Sequence, residues 1–408
     1  MSSLFHLNLE FDRVILIVLD SLGVGAASDA HRFGDEKANT LLHIDEWCSK
    51  NNKFFQLPNL AWWGLNQTLP HKLNSLASVE SVKASTARLA EISPGKDTTT
   101  GHWEMAGTPL NFEFPVFEKG FSEDLLKKWC AANNLKGWLG NFAASGTQIL
   151  EDLGEEHLKT QFPIVYTSGD SVFQVAAHEK VFGLKRLYEI CLSARNLLDP
   201  LGVGRVIARP FLGDTAKTFR RTENRRDYSV PPPEPNMLDI LCKQNLFVAG
   251  VGKIEDIFAH RSVPLVDHTG RNETSLEATL NMMDKTQGKR GLIFTNLIDF
   301  DQLHGHRRNP STYADALMYF DKFLPGIEAK STERDLIILT ADHGNDPTHT
   351  GTDHTREDVP LLFWSKNLSF RTKGFGNLHG FQNVAHLTLE ALGLSREISN
   401  LGKTQGST

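Results

Sequence analysis

Three apolar runs in this 408-residue chain end in acids, or in an acid beside an imidazole. Val14 to Leu19 runs into Asp20, and Gly291 to Ile298 runs into Asp299 and Asp301 with His306 beyond. Leu336 to Leu339 runs through Thr340 and Ala341 into Asp342 and His343, and a further imidazole, His354, follows a polar loop. Carboxylates and imidazoles with no thiolate in reach suit a hard-to-borderline divalent ion such as manganese, magnesium or zinc. One Asp-His-Gly alone is more simply a strand-ending turn; three such endings in one chain favour ligation. Six ligands suffice for two ions, and a pair of ions can clamp the attacking and leaving oxygens of a phosphoryl transfer.

A second chemical stretch runs from Ser93-Pro94-Gly95-Lys96-Asp97 through Thr98-Thr99-Thr100 to Gly101-His102-Trp103-Glu104. Proline and glycine make its start a loop. The polar residues after it can open a helix, whose first amides form a phosphate seat. Taken alone, a threonine here is most simply an N-cap. Beside metal ions, a threonine hydroxyl of this loop gains the activation that a free hydroxyl lacks. No Gly-x-Ser-x-Gly elbow and no Cys-x-Pro-x-Arg context occurs, which argues against a serine hydrolase or a sulfatase. Gly23-Val24-Gly25 is too short for a dinucleotide fingerprint, and Gly252-Lys253 and Gly402-Lys403-Thr404 lack P-loop spacing.

The elements that must position these groups follow from pattern. Short, continuous, largely β-branched runs predict strands covered on both faces, as in a parallel sheet. Ligands of open α/β sheets sit beyond the carboxyl ends of such strands. Further strands are expected at Ala87–Ile92, Pro163–Tyr166, Arg205–Arg209, Leu246–Val251 and Pro360–Trp364. Helical spacing marks Leu41–Cys48, Ser122–Ala131, Leu184–Leu198 and Val384–Leu392, the last closed by Gly393, and Tyr313–Leu324, stopped by Pro325. The pattern changes at Asn111, and Val230-Pro231-Pro232-Pro233-Glu234-Pro235 reads as a stiff connector. The expected fold class is α/β: a mostly parallel sheet between helices at 1–110 and 230–408, with a smaller α+β cap domain inserted at 111–229.

Composition narrows the partners. Hydrophobic residues make up 40% and charged residues 23%, and no apolar run is long enough for a membrane span. A formal charge of −6 disfavours nucleic acid. An anionic substrate must therefore meet local positive charge, from metal ions and a few arginines. The first ten residues lack a secretory pattern. Cys48, Cys130, Cys191 and Cys242 are widely spaced and read as reduced thiols of a cytoplasmic protein.

The segments Thr340–Asp346, Gly351–Glu357, Asp301–Arg308 and Gly95–Thr98 resemble the alkaline phosphatase superfamily. Tyr166–Gln174, Gly204–Phe211 and Asn224–Asp227 narrow the likeness to its bacterial phosphopentomutase family, over nearly the whole chain. The resemblance implies an alkaline phosphatase-like core and two manganese ions, with magnesium, cobalt or zinc as alternatives. Asp20, Asp342, His343 and the Thr98 oxygen would hold one ion, and Asp301, His306 and His354 the other, with Asp299 as the alternative to Asp301. Thr98 would carry the phosphoryl group. Arg205, Arg221 and Lys253 would grip the non-reacting phosphate, as the arginine fork suits, with Arg220 as the alternative to Arg221. Ser168, Asp170, Val172 and Ile207 would line the ribose pocket.

The implied reaction interconverts (deoxy)ribose 1-phosphate and (deoxy)ribose 5-phosphate through a bisphosphate sugar, which also primes the enzyme. The cap would exclude water. The expected partners are small pentose phosphates, not nucleic acid or membrane, and the expected state is a monomer. The rival readings are a phosphatase or cofactor-independent phosphoglycerate mutase on the same metals, or an inactive sugar-phosphate-binding protein. Two departures stand out: Arg226 where the family usually has histidine, and an extra arginine in Phe219-Arg220-Arg221-Thr222. Both are expected to touch the phosphate grip and not the metals.

Overall fold

The structure is a computed structural model and describes residues 4–169 and 171–403. The chain forms two compact units, Met1–Phe112 with Pro232–Thr408, and Glu113–Pro231. It begins in the first unit with β1 (Arg13–Leu19) and β2 (Ser85–Ala90). The second unit holds β3 (Leu139–Ala143), β4 (Ile164–Thr167), β5 (Val172–His178), β6 (Arg205–Leu212), β7 (Arg220–Arg221) and β8 (Arg226–Ser229). The first unit resumes with β9 (Phe247–Val251), β10 (Leu265–Asp267), β11 (Gly291–Leu297), β12 (Asp335–Thr340), β13 (Val359–Trp364) and β14 (Gly374–His379).

The first unit's sheet has eight strands in the order β10-β9-β11-β1-β12-β13-β2-β14. Every residue of β1, β11 and β12 is buried, as their unbroken apolar runs require. These three are neighbours and all parallel, with Leu19 opposite Leu297 and Val18 opposite Thr340. Their carboxyl ends are therefore level, and the three acidic segments emerge side by side. β13 is antiparallel to both β12 and β2, so β2 points the same way as β12 and delivers its following loop to the same edge. At the opposite end, buried Arg13 meets Asp335 through two hydrogen bonds of 2.8 Å. This fork pins the register of β1 on β12, and so the height of Asp20 relative to Asp342.

Two elements differ from the sequence reading. The helix expected to stop at Pro325 runs unbroken over Pro310–Lys330. A proline removes the hydrogen bond to the carbonyl four residues back. Here the Asn59 side-chain amide donates to that Asp321 carbonyl at 3.0 Å, so the missing donor is replaced. β2 also ends before Ile92, because the Ile92 and Ser93 amides turn away to the Glu104 carboxylate.

The second unit has a six-stranded sheet: β3-β4-β5-β6-β7 in order, with β8 also on β6. The Leu184–Leu198 helix packs Leu187, Ile190, Cys191 and Ala194 against Val175, Val206 and Ala208 on one face. The Gln148–Thr160 helix packs Ile149 and Leu150 against Ile164, Tyr166 and Phe211 on the other. No helix among the described residues is long and apolar enough to cross a membrane.

Candidate active site

Asp20 is the residue after β1, Asp301 lies in a short helical turn after β11, and Asp342 and His343 follow β12. All four are buried. The ligand atoms of Asp301, His306 and His354 lie within 4.8 Å of one another, and so do those of Asp20, Asp301 and His343. Asp342 adjoins the second group, with its Oδ2 3.4 Å from His343 Nε2. The partition implied by the resemblance put Asp301 in one set alone; the geometry places it where the two groups meet. Asp299 is not part of either, because its carboxylate accepts from the Asn272 amide at 2.9 Å and is spent on that helix start.

The imidazoles are oriented for ligation. His343 Nδ1 faces the Gly344 carbonyl at 3.0 Å, and His306 Nδ1 faces the Thr352 carbonyl at 2.6 Å. A carbonyl only accepts, so each Nδ1 carries a proton, and Nε2 is the nitrogen left to ligate once it has given up its own. Those Nε2 atoms point into the cluster: His306 Nε2 is 3.2 Å from Asp301, and His343 Nε2 is 3.4 Å from Asp20. Asp20 Oδ1, Asp342 Oδ2 and His354 Nε2 are buried without a hydrogen-bond partner. Orphaned acceptors of this kind are costly unless something fills the gap. Burial and the facing Asp342 push Asp20 above the usual carboxylate range. The residues therefore fit bound divalent cations, which would supply the partner all these lone pairs lack.

This arrangement sets a pH dependence. Burial works against a charge on His306, but Asp301 beside it outweighs that and pushes the imidazole up to about 9. Below that pH the cation-free site holds a proton on His306 that ligation must expel. Apparent affinity for a divalent cation should rise with pH, by up to about tenfold per unit for this one proton as pH climbs towards about 9. At His343 burial is likewise outweighed by the facing carboxylates, which adds a second proton to expel. Calorimetry in buffers of different ionisation enthalpy checks this; an affinity flat between pH 6 and 8, with no proton release, would contradict it.

Thr98 opens the Thr98–Met105 helix, and the N-cap is Asp97, which accepts from the Thr99 and Thr100 amides at 3.0 and 3.1 Å. Capping is thus done by the acid, and the Thr98 hydroxyl stays available, 3.1 Å from His343 Nε2. The loop before it is clamped twice. The Glu104 carboxylate collects the Ile92 and Ser93 amides, and buried Arg356 grips Asp29, Glu91 and the Gly95 carbonyl. Gly101 is required here, since a Cβ would lie 2.0 Å from the Asp342 carbonyl oxygen. The helix backbone and the segment after β12 are in direct contact.

Comparison with known proteins gives the family. The metalloenzyme superfamily pattern matches residues 12–396. The chain is 49% identical to a phosphopentomutase of Idiomarina loihiensis over 380 residues, covering 91% of this chain and 94% of that protein. It is 46% identical to one from Agrobacterium fabrum, covering 93% and 98%, and 49% identical to one from Carboxydothermus hydrogenoformans, covering 94% and 96%. The chain belongs to the phosphopentomutase family.

The second unit can be read against that family's pattern. Sheet pairing sets Val172 beside Arg205 and Gln174 beside Ile207, with Asp227 opposite Ile207. Side chains alternate along a strand, so Val172, Gln174, Arg205, Ile207, Arg209 and Asp227 share one face with Tyr166. Ser168 lies in the turn between β4 and β5, and Asp170 is outside the described residues. Lys253 belongs to the first unit, at the start of a short helix after β9. Arg221 pairs with Phe211 and lies on the Tyr166 face, whereas Arg220 pairs with Leu212 and points the other way. Arg226, expected to touch the phosphate grip, does not: it pairs with Ala208 on the opposite face, with its guanidinium 4.6 Å above the Tyr188 ring. The alternation that puts Asp227 with the arginines sends Arg226 away from them. Arg209 and Gln174, which the sequence reading did not include, share this face too, and Arg209 donates to Gln174 at 3.0 Å.

Proposed function

We propose that this chain is a phosphopentomutase that interconverts ribose or deoxyribose 1-phosphate and 5-phosphate, with Thr98 as the phosphoryl carrier. The observation that carries the reading is the Thr98 hydroxyl, at a clamped helix start and hydrogen-bonded to His343 Nε2, beside the orphaned oxygens of Asp20 and Asp342. Two divalent ions, manganese in this reading, held by Asp20, Asp342, His343 and Thr98 and by Asp301, His306 and His354, would neutralise charge on the threonine oxygen and the transferred group.

The chain's own residues do the rest. In the first step the Thr98 Oγ1–P bond breaks as a sugar hydroxyl oxygen bonds to phosphorus, and the hydroxyl proton ends on Thr98 Oγ1, giving a pentose bisphosphate; the return step passes that proton back to the sugar oxygen it frees. In the return step the other ester of that bisphosphate breaks, and its phosphoryl group bonds to Thr98 Oγ1. A pentose bisphosphate primes an unphosphorylated Thr98 by the return step alone. Asp97 and Glu104 hold the loop in place through both transfers. Arg205 and Arg221, with Lys253, are assigned to the phosphate that is not reacting, and Ser168, Asp170, Val172 and Ile207 to the sugar.

The test is product balance. With manganese and a trace of pentose bisphosphate, ribose 5-phosphate should yield ribose 1-phosphate with little inorganic phosphate. Phosphate release equal to substrate loss would replace this reading with a phosphatase.

A further inference from the structure

We infer that His102, held by Asn296, is a positioning residue that couples the phosphoryl-carrying loop to the carboxylates Asp20 and Asp342; this rests on the proposed role of Thr98. His102 and Asn296 are both fully buried, and neither reaches the reacting atoms in the mechanism above. His102 lies one helical turn after Thr98 and stacks on Phe294, with ring centroids 5.8 Å apart. Asn296 is the penultimate residue of β11.

The order of these groups follows from donor and acceptor chemistry. Asn296 Nδ2 is 2.8 Å from Asp20 Oδ2 and 3.1 Å from His102 Nε2. The reversed amide would set its oxygen against the Asp20 carboxylate, two acceptors with no proton between them. Asp20 therefore dictates the amide orientation. An amide nitrogen only donates, so His102 Nε2 accepts and the proton sits on Nδ1. That Nδ1–H donates to the Thr98 carbonyl at 2.9 Å, and the same nitrogen is 3.1 Å from Asp342 Oδ2. Asp342 Oδ1 is already taken by the Ser21 amide at 3.0 Å.

One relay thus runs from Asp20 through Asn296 and His102 to the backbone of Thr98 and the edge of Asp342. It occupies Asp20 Oδ2 and leaves Oδ1 as the orphan. It also ties the first helical turn to the strand end, so the Thr98 oxygen and the two acids keep one spacing. Supports of this kind, behind ligands and reacting groups, typically matter by tenfold or more.

The experiment compares wild type with His102→Phe, which keeps the stacking but loses both nitrogens, and His102→Asn, whose amide N–H reaches the Nδ1 position. Thermal melts, manganese affinity, kcat, KM and the rate of Thr98 phosphorylation by a pentose bisphosphate are read together. Expected for His102→Phe is a drop of about 10–100-fold in kcat and phosphorylation rate, with KM little changed. His102→Asn should recover most of it. Wild-type kcat in a folded His102→Phe, or no recovery in a folded His102→Asn, would overturn the relay. If His102→Phe does not fold, His102→Gln replaces it: its amide reaches the Nε2 position, and activity equal to His102→Asn would be the overturning result. Should wild type itself neither isomerise pentose phosphates nor label Thr98, the proposed function falls. The relay is then decided on manganese affinity, expected to drop about tenfold in His102→Phe and overturned by no change.

Discussion

Thr98→Ala should lower turnover by roughly 10⁴–10⁶-fold, the range seen when an enzyme loses its covalent nucleophile. Two nearby hydroxyls are already committed. Thr100 Oγ1 is bound to Asp97 at 2.5 Å, and the Ser93 hydroxyl is committed to Glu104. The fold should be untouched, because the helix is capped by Asp97 and Thr98 is only half-buried. A change in unfolding free energy within about 0.5 kcal/mol is expected. Intact-mass analysis after incubation with a pentose bisphosphate should show one labile phosphate on wild type and none on the variant. A variant that keeps wild-type turnover would remove Thr98 from the reaction.

Asp301→Ala should be the most damaging change among the ligands. Asp301 is the one residue common to both groups of ligand atoms found among the described residues. Burial opposes its charge, but His354 and His306 hold its carboxyl well below the usual range, so it is an anion when ligands are needed. Its loss takes away the negative charge next to three imidazoles and frees the Asn345 amide that donates to it at 2.7 Å. Bound manganese should fall from two ions per chain to one or none, and turnover by about 10³-fold or more, consistent with several kcal/mol of charge stabilisation. Elemental analysis after gel filtration, with parallel kinetics, checks both. Asp299→Asn is the contrast: its carboxylate serves the Asn272 helix start, so stability should drop by about 1 kcal/mol with turnover kept. If the two variants behave the other way round, Asp299 is the ligand.

Much of this was legible in the residues themselves. β1, β11 and β12 could be read because a fully buried parallel strand is a continuous apolar run, and the groups at its carboxyl end are then placed by geometry common to such sheets. A threonine of the Thr98–Thr100 run could be read as a candidate beside those acids, and only the family resemblance singled out Thr98. The helix through Pro325 was not, because the replacement donor, Asn59, is far away in sequence. The face of Arg226 was not, because its pairing with Ala208 depends on where β8 sets its register on β6.

Sequence by itself determined the buried parallel strands and the acids and imidazoles at their carboxyl ends, with the ligand roles and an inserted second unit as expectations. Tertiary structure alone decided that Asp301 sits between the two ligand groups, that Asp97 caps the helix and leaves Thr98 free, and which oxygens of Asp20 and Asp342 lack a partner. The reason is range. Apolar run length and turn chemistry act over a few neighbouring residues, whereas Asp20, Asp301 and Asp342 meet only through the register of three parallel strands, fixed by the backbone ladder and the buried Arg13–Asp335 fork.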